Sequence, residues 1–270
     1  MKIRVLITLA IFGAALPASA FIASHVQQLL QTRNCEGCNL AGAKLAGANL
    51  RQARLFRAKL TGANLVRANL SGADFTETNA EGANFSGANL SGSTLKNTIL
   101  TKAIFDGVNF TQVNIASSIY LQGARMVGAN FSQKNLNGVY FENTNLSRAN
   151  LRGAILNASY EDSIFNGANL SYANLKEGEF NKSSFIGANL IGANLTEAEF
   201  YKANLSGANL SRANFSKGFL EGANLRNANL TNTNFSNANL KDADLTGAKI
   251  DGANFCRATV PDGRIWSQGC

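Results

Sequence analysis

Four glutamates form the densest group of side chains that could do chemistry in this sequence. Glu177 and Glu179 are each followed, twenty residues later, by a second glutamate, Glu197 and Glu199. Carboxylate oxygens coordinate Ca²⁺, and two neighbouring carboxylates can share general acid and base roles. The alternative is a solvated charged surface that is balanced by nearby lysines, namely Lys176, Lys182 and Lys202. We therefore predict no cofactor, no catalytic residue and no metal, and keep the four glutamates as the alternative metal site.

A basic band near the start of the chain is the second candidate site. Between residues 39 and 73 there are six basic side chains and no acidic one: Lys44, Arg51, Arg54, Arg57, Lys59 and Arg67. From Asp74 onward the chain carries sixteen residues of each sign, so the excess positive charge beyond residue 20 lies in this band. Such a band could bind an acidic protein or anionic lipid headgroups, and a solubilising surface is the alternative. We assign it as the partner-binding site.

Four cysteines lie near the two ends of the chain. The motif Cys35-x-x-Cys38 could be a local disulfide, a redox pair or half of a metal site. The next residue is Asn39, so this is not a haem-attachment motif, and no second ligand pair lies near enough to complete a zinc site. We expect a structural disulfide here, and in an exported protein Cys256 and Cys270 could form another.

The elements that position these residues follow from a five-residue repeat. A large apolar residue occupies every fifth position from Leu40 to Tyr120, with Ala80 as the exception. The register moves by one residue from Met126 to Leu156, and it returns at Tyr160. A strand that faces one core repeats every two residues and a helix every 3.6, so neither explains this spacing. The spacing predicts a backbone that turns a corner every five residues, with a small residue and a large one pointing inward.

The repeat unit reads A-N-L-[ST or charged]-G and resembles the pentapeptide-repeat family, whose motif is A-[DN]-L-x-x. GANFSGANL at residues 82–90 and GANLIGANL at residues 187–195 show the fit, and the resemblance covers residues 38–260. It implies an all-β solenoid, the right-handed quadrilateral β-helix, with about twenty residues per coil and about eleven coils. Residues twenty apart should then stack on successive coils, as in the aromatic ladder Phe215, Phe235 and Phe255.

The two changes of register are expected at irregular corners. One lies near residues 117–122 and the other near residues 157–161. Each should contain an extra or a missing residue, because the inward register moves by one position and later moves back.

The ends of the chain complete the predicted domain organisation. Residues 1–20 combine a basic start, an apolar run and a small-residue cleavage site, which is typical of a secretory signal peptide. Residues 21–38 form an N-terminal cap with a short helix, for which Ser24 and Gln27 have the form of a capping box. Residues 39–260 form the β-helix. Residues 261–270 form a C-terminal cap, in which Trp266 can fold back over the last coil.

Function is predicted from shape, charge and destination, because no set of residues in the sequence points to a reaction. We predict a non-enzymatic structural or protein-interaction scaffold, exported to a periplasm or thylakoid lumen, with flat faces and the basic band available to a protein partner. The resemblance also implies an alternative, because some members of the family resemble a DNA duplex and bind DNA gyrase. Those proteins are acidic and cytoplasmic, whereas this chain has a net charge of +8, and we do not expect nucleic acid as a partner.

Overall fold

The computed structural model describes residues 22–115, 118–267 and 270. The predicted signal peptide, residues 1–20, lies outside the described residues. The described chain begins with helix α1, Ala23–Thr32, and continues as a series of corners about five residues apart. Its strands are two residues long: β1 (Thr94–Leu95), β2 (Asn114–Ile115), β3 (Ile119–Tyr120) and β4 (Val139–Tyr140). Between and beyond them the coils are joined by isolated parallel bridges.

Bridged residues are separated by four corners, which shows that each turn of the chain is a four-sided coil. Asn204, for example, bridges Asn224. The backbone N–H of Leu205 donates to the carbonyl of Asn224 at 2.7 Å, and the N–H of Asn224 donates to the carbonyl of Ala203 at 2.9 Å. This pattern recurs along the chain, so the coil is held by hydrogen bonds between successive turns, as in other solenoids.

The two inward positions of each unit fill the interior of the coil. Ala203 and Leu205 are both fully buried, as are the equivalent residues of most other units. The large positions form ladders along the axis. The rings of Phe215 and Phe235 stack at 5.4 Å, and those of Phe235 and Phe255 stack at 5.2 Å, as the twenty-residue spacing predicts. The interior is therefore packed with side chains and the outward positions alone form the surface.

Most corners place their second residue in the left-handed region of backbone space, which favours glycine. Gly192 illustrates a corner where a side chain would have to displace a neighbour, because φ is +63° and a Cβ atom there would lie 2.9 Å from the ring of Tyr172. Other corners tolerate a side chain, as at Arg212 with φ of 61°. The repeat therefore favours glycine at this position without depending on it at every corner.

Two irregular corners change the coil length by one residue in opposite directions. Ile99 bridges Tyr120, which is 21 residues later, whereas Asn145 bridges Ile164, which is 19 residues later. The extra residue precedes Tyr120, because Leu121 is buried while Tyr120 is 38% exposed. The sequence-based assignment of Tyr120 to the interior is therefore wrong, since the inward register has already moved to Leu121.

The residue just before each large inward residue occupies what we call the ladder position, which faces outward in the middle of a side. On one side, the asparagine face, this position is asparagine on successive coils: Asn49, Asn69, Asn89, Asn109, Asn130, Asn150, Asn169, Asn189, Asn209 and Asn229. The opposite side is the acidic-aromatic face. Its ladder positions are Ile99, Tyr120, Tyr140, Ser159, Glu179, Glu199 and Phe219. Its first corner positions are Thr101, Gln122, Glu142, Glu161, Asn181, Tyr201 and Glu221.

Helix α1 packs against the first coil. Leu29 is fully buried in the same core as the inward residues of the coil, and the backbone N–H of Asn39 donates to Nδ1 of His25 at 3.0 Å. The predicted capping box is wrong, because Ile22 is the N-cap residue, no side chain caps the helix, and Ser24 lies inside the first turn. The helix is held by burial and by the contact of His25 instead.

The last residues fold back on the coil. Ile265 forms an antiparallel bridge with Thr259, and the backbone N–H of Trp266 donates to the carbonyl of Ala258 at 2.8 Å. The ring of Trp266 lies 6.2 Å from that of Phe255 at the end of the aromatic ladder. No helix in the part of the chain that the structure describes combines the length and apolarity needed to span a membrane.

Candidate functional site

The predicted basic band lies on the outer surface of the first coils. Its six side chains are all exposed: Lys44, Arg51, Arg54, Arg57, Lys59 and Arg67. Arg51, Arg54 and Arg57 share one side and its two corners, because they flank the inward pair Ala53 and Leu55. The coil therefore groups three arginines on adjoining positions and distributes the other three cations over the remaining sides.

Two of the three grouped arginines already contact carboxylates. Arg54 pairs with Glu36 at 2.6 Å, and Arg57 pairs with Glu77 at 2.7 Å. The guanidinium of Arg57 also lies 4.6 Å from the ring centre of Phe56. Both ion pairs are largely exposed, so each contributes about 1 kcal/mol or less and orients a charge that stays accessible to a partner. In the described residues the other four cations of the band form no ion pair.

The four predicted glutamates lie on adjacent coils but in two separate rows. Glu179 bridges Glu199 at the ladder position, and Glu177 and Glu197 lie at the preceding corner. The corner glutamates are neutralised, because Glu177 pairs with Lys176 at 2.9 Å and Glu197 pairs with Lys217 at 3.1 Å.

The contacts of Lys176 show the same neutralisation. Its hydrogen bond and charge interaction with Glu177, and more weakly the charge of Glu197, raise the pKa of its ammonium group. Among the described residues no three His, Cys, Asp or Glu side chains converge as a metal site would require. The structure therefore divides the four glutamates of the alternative metal site into two rows. Glu177 and Glu197 form the ion-paired row. Glu179 and Glu199 make no ion pair within the described residues, and we call them the free row.

Sequence reasoning missed that the free row belongs to a longer surface, the acidic-aromatic face. Glu179 and Glu199 continue into further carboxylates and exposed aromatic rings: Glu142, Glu161, Glu221, Tyr120, Tyr140, Tyr201 and Phe219. The rings of Tyr120 and Tyr140 stack at 5.1 Å on the outside of the coil. The signal was present in the sequence as ladder positions that lack Asn or Asp, and the wrong register at Tyr120 concealed the first of the two stacked rings.

A shallow groove at one end of this face is lined by Asn181, Glu199, Tyr201, Phe219, Glu221 and Asn239. Two amides hold the carboxylates in place, since Asn181 Nδ2 donates to Glu199 at 2.9 Å and Asn239 Nδ2 donates to Glu221 at 3.3 Å. The groove therefore combines oriented negative charge with an aromatic ring, Phe219, that is 51% exposed.

Lys202 shows how a cation is accommodated beside this groove. Its Nζ lies 4.9 Å from the ring centre of Tyr201. Contact with Tyr201, and more weakly the charge of Glu221, raise the pKa of the ammonium group. The surface thus stabilises positive charge through both aromatic and carboxylate groups.

The cysteines are joined in two local pairs. Cys35 and Cys38 form one disulfide with Cα atoms 5.1 Å apart, and Cys256 and Cys270 form another with the same Cα separation. Cys35 is fully buried beneath the helix and Cys38 is nearly so, which places this pair in the core. The two disulfides therefore tie the first coil and the C-terminal segment, each within its own end of the molecule.

Models of the pentapeptide-repeat family match most of the coil. The model described as pentapeptide repeats matches residues 34–72, 53–92, 73–112 and 119–157. The model described as a pentapeptide repeat region matches residues 178–255. No curated protein matches the sequence.

Solved structures of similar proteins include HetL, a pentapeptide repeat protein involved in heterocyst differentiation regulation in the cyanobacterium Nostoc sp. It is 29% identical, with a TM-score of 0.32 over 84% of this chain and 95% of its own. A pentapeptide repeat protein from the Arabidopsis thaliana thylakoid lumen is 33% identical, with a TM-score of 0.24 over 37% of this chain and 66% of its own. Full-length QnrB1, a plasmid-mediated fluoroquinolone resistance protein, is 19% identical, with a TM-score of 0.26 over 78% of this chain and 90% of its own.

The resemblance inferred from the motif is thereby confirmed by the family models. Together they match well over half of the chain, from residue 34 to residue 255. The protein belongs to the pentapeptide-repeat family.

Proposed function

We propose that this protein is a non-enzymatic scaffold that holds partner proteins on its rigid outer faces. The observation that carries the proposal is the filled interior, because the inward positions are occupied along the coil and leave the outward side chains to contact a ligand. The grooves that the outer surface does contain are shallow and suit contact with another surface.

The proposal includes the finer features of the family fold. These are a right-handed quadrilateral β-helix of about eleven coils, α1 as the N-terminal cap, and the domain limits inferred from the sequence. The proposed destination is a periplasm or thylakoid lumen. Two disulfides support an oxidising compartment, and the pattern of residues 1–20 supports export.

The proposed contact is the basic band, and its partner is a protein with an acidic surface. Arg51, Arg54 and Arg57 project from a single side of one coil, so a flat acidic surface could meet all three together. Arginine suits such contacts because its guanidinium binds carboxylates through two hydrogen bonds and is weakly hydrated. The exposed position of all three side chains leaves them available for this contact.

A charge-reversal experiment tests the proposal. The mature protein carrying Arg51→Glu, Arg54→Glu and Arg57→Glu should lose crosslinking capture of its acidic partner from the native compartment. The matched control carries Arg148→Glu, Arg152→Glu and Arg212→Glu, which are equally exposed corner positions farther along the coil. Equal capture by the two triple variants would contradict the proposed role of the band.

A further inference from the structure

The asparagine face shows how the repeat normally stabilises its corners. Asn189 Oδ1 accepts the backbone N–H of Ile191 at 3.1 Å, two residues further on. The other nine asparagines of this face make the same contact with their own corners. The asparagine at the ladder position is therefore a structural choice, because it fixes the corner in a local turn.

The acidic-aromatic face gives up this contact on seven successive coils. In the described residues, none of its ladder side chains accepts a hydrogen bond from the following corner. At one corner the loss is compensated, because Asn181 Oδ1 accepts the backbone N–H of Tyr201 at 2.9 Å. In place of the asparagines the face exposes apolar surface, with Tyr140 at 43% and Phe219 at 51% exposure. Departures from a local rule that leave exposed aromatic rings are typical of interaction sites.

The carboxylates of the same face also lack ion-pair partners among the described residues. Of the twelve other acidic side chains of the described residues, seven form ion pairs, from Glu36 near the first coil to Asp262 near the last. None of the carboxylates on the acidic-aromatic face does so: Glu142, Glu161, Glu179, Glu199 and Glu221. The ladder and first corner positions of this face include no basic residue, and its second corner positions hold three lysines, Lys102, Lys182 and Lys202, and one further carboxylate, Asp162. Six carboxylates against three lysines leave an excess of negative charge. The face is therefore complementary to positive charge.

We propose that the acidic-aromatic face binds a segment of another protein that carries lysine or arginine side chains. One cationic side chain would lie in the groove between Glu199, Glu221 and the ring of Phe219. Carboxylates and aromatic faces together favour alkylammonium and guanidinium groups. The stacked rings of Tyr120 and Tyr140 offer apolar contact at the other end of the face. This site is independent of the basic band and takes a partner segment of the opposite charge.

Binding of defined peptides to the full mature protein tests the inference. The probe is a labelled extended peptide of alternating lysine and leucine, and its control replaces each lysine with glutamate. Fluorescence anisotropy should show binding of the cationic peptide alone. Glu199→Gln with Glu221→Gln should weaken it about tenfold, because each removes a charged hydrogen-bond acceptor from the groove. The matched control, Glu177→Gln with Glu197→Gln, removes the same charge from ion-paired carboxylates and should leave binding unchanged.

A second variant separates loss of binding from loss of folding. Phe219→Asn restores the asparagine of the repeat, so it should fold at least as stably as the wild type while binding the peptide about tenfold more weakly. Arg51→Glu with Arg54→Glu and Arg57→Glu should leave peptide binding intact, which separates this inference from the basic-band proposal. Equal weakening by the two glutamine pairs would overturn the inference, as would equal binding of the acidic peptide. Self-association in sedimentation that Glu199→Gln and Glu221→Gln abolish would also overturn it, because the occupant would then be a second copy of this chain.

Discussion

The asparagine face and the acidic-aromatic face occupy opposite sides of one coil, yet they are stabilised differently. On the asparagine face the outward residue stabilises the fold, because each amide fixes its own corner. On the acidic-aromatic face the outward residue makes no such contact and instead exposes charge or an aromatic ring. The difference teaches that the outward residue of a repeat can change while the backbone hydrogen bonds between coils stay in place.

Four successive large inward residues beneath the acidic-aromatic face are aromatic: Phe141, Tyr160, Phe180 and Phe200. Phe180 stacks on Tyr160 and on Phe200, each at 5.0 Å. A stacked ring pair contributes about 0.5–1.5 kcal/mol beyond burial, and a net hydrogen bond contributes about the same. The rings fill the coil so tightly that Gly178 replaces the usual alanine, since a Cβ there would lie 2.6 Å from Phe180. Beneath the asparagine face most of the large inward residues are leucines, such as Leu190.

Of the substitutions that compare the two faces, removing a ring from this interior should change the free energy of unfolding most. Phe180→Ala should lower the free energy of unfolding by about 3–5 kcal/mol, because it leaves a cavity and removes stacking on both sides. Leu190→Ala, beneath the asparagine face, loses burial but no stacking and should cost less. Denaturant unfolding measures both. A larger loss for Leu190→Ala would contradict the idea that the aromatic ladder supports the acidic-aromatic face.

Substitution of Tyr160 should have a smaller effect of the opposite sign, a gain in the free energy of unfolding. Its hydroxyl is buried without a hydrogen-bond partner in the described structure. Tyr160→Phe should therefore raise the free energy of unfolding by about 1–3 kcal/mol, since it removes an unsatisfied polar group. A variant no more stable than the wild type in thermal unfolding would indicate that the hydroxyl is satisfied.

The stability difference between Tyr160→Phe and the wild type should depend on pH. Burial raises the pKa of Tyr160, so the folded protein keeps its phenol protonated after the unfolded chain begins to ionise, near pH 10. The contribution of the protonated phenol to the free energy of unfolding is fully present below that pH and is lost as the pH rises above it. The advantage of Tyr160→Phe should therefore grow at alkaline pH, and a constant difference from pH 7 to pH 11 would contradict the burial of the hydroxyl.

Single outward substitutions should show the smallest effects and the clearest contrast between the two faces. Asn189→Ala should cost about 0.5–1.5 kcal/mol, because it removes the acceptor of the Ile191 N–H. Glu179→Ala, at the ladder position of the acidic-aromatic face, should change stability by about 0.5 kcal/mol or less. Chemical denaturation of the two variants measures the difference. Equal losses of stability would contradict the distinction between a face that stabilises the fold and a face that is available for binding.

Much of the fold could be predicted from the sequence because it depends on local spacing. The positions that point inward, such as Phe215 and Phe235, follow from the five-residue repeat, and the family motif indicates a coil of twenty residues. The residues of the basic band could also be identified from the sequence, since its charges are close together in the chain. The functional surface was harder to predict. Glu179 and Glu199 were found as a spaced pair, but Phe219 and Tyr140 were not recognised as their neighbours.

The sequence by itself determined the unit of this protein: a small and a large inward side chain followed by a corner, repeated until the coil is built. Only the tertiary structure decided which outward residues share a face. The reason is that backbone hydrogen bonds pair each coil with the next, so the coil with one extra residue before Tyr120 pairs residues 21 apart, and a fixed twenty-residue spacing no longer identifies the residues that share a face. A missing residue before Tyr160 restores the register, and the acidic-aromatic face extends across both irregular corners.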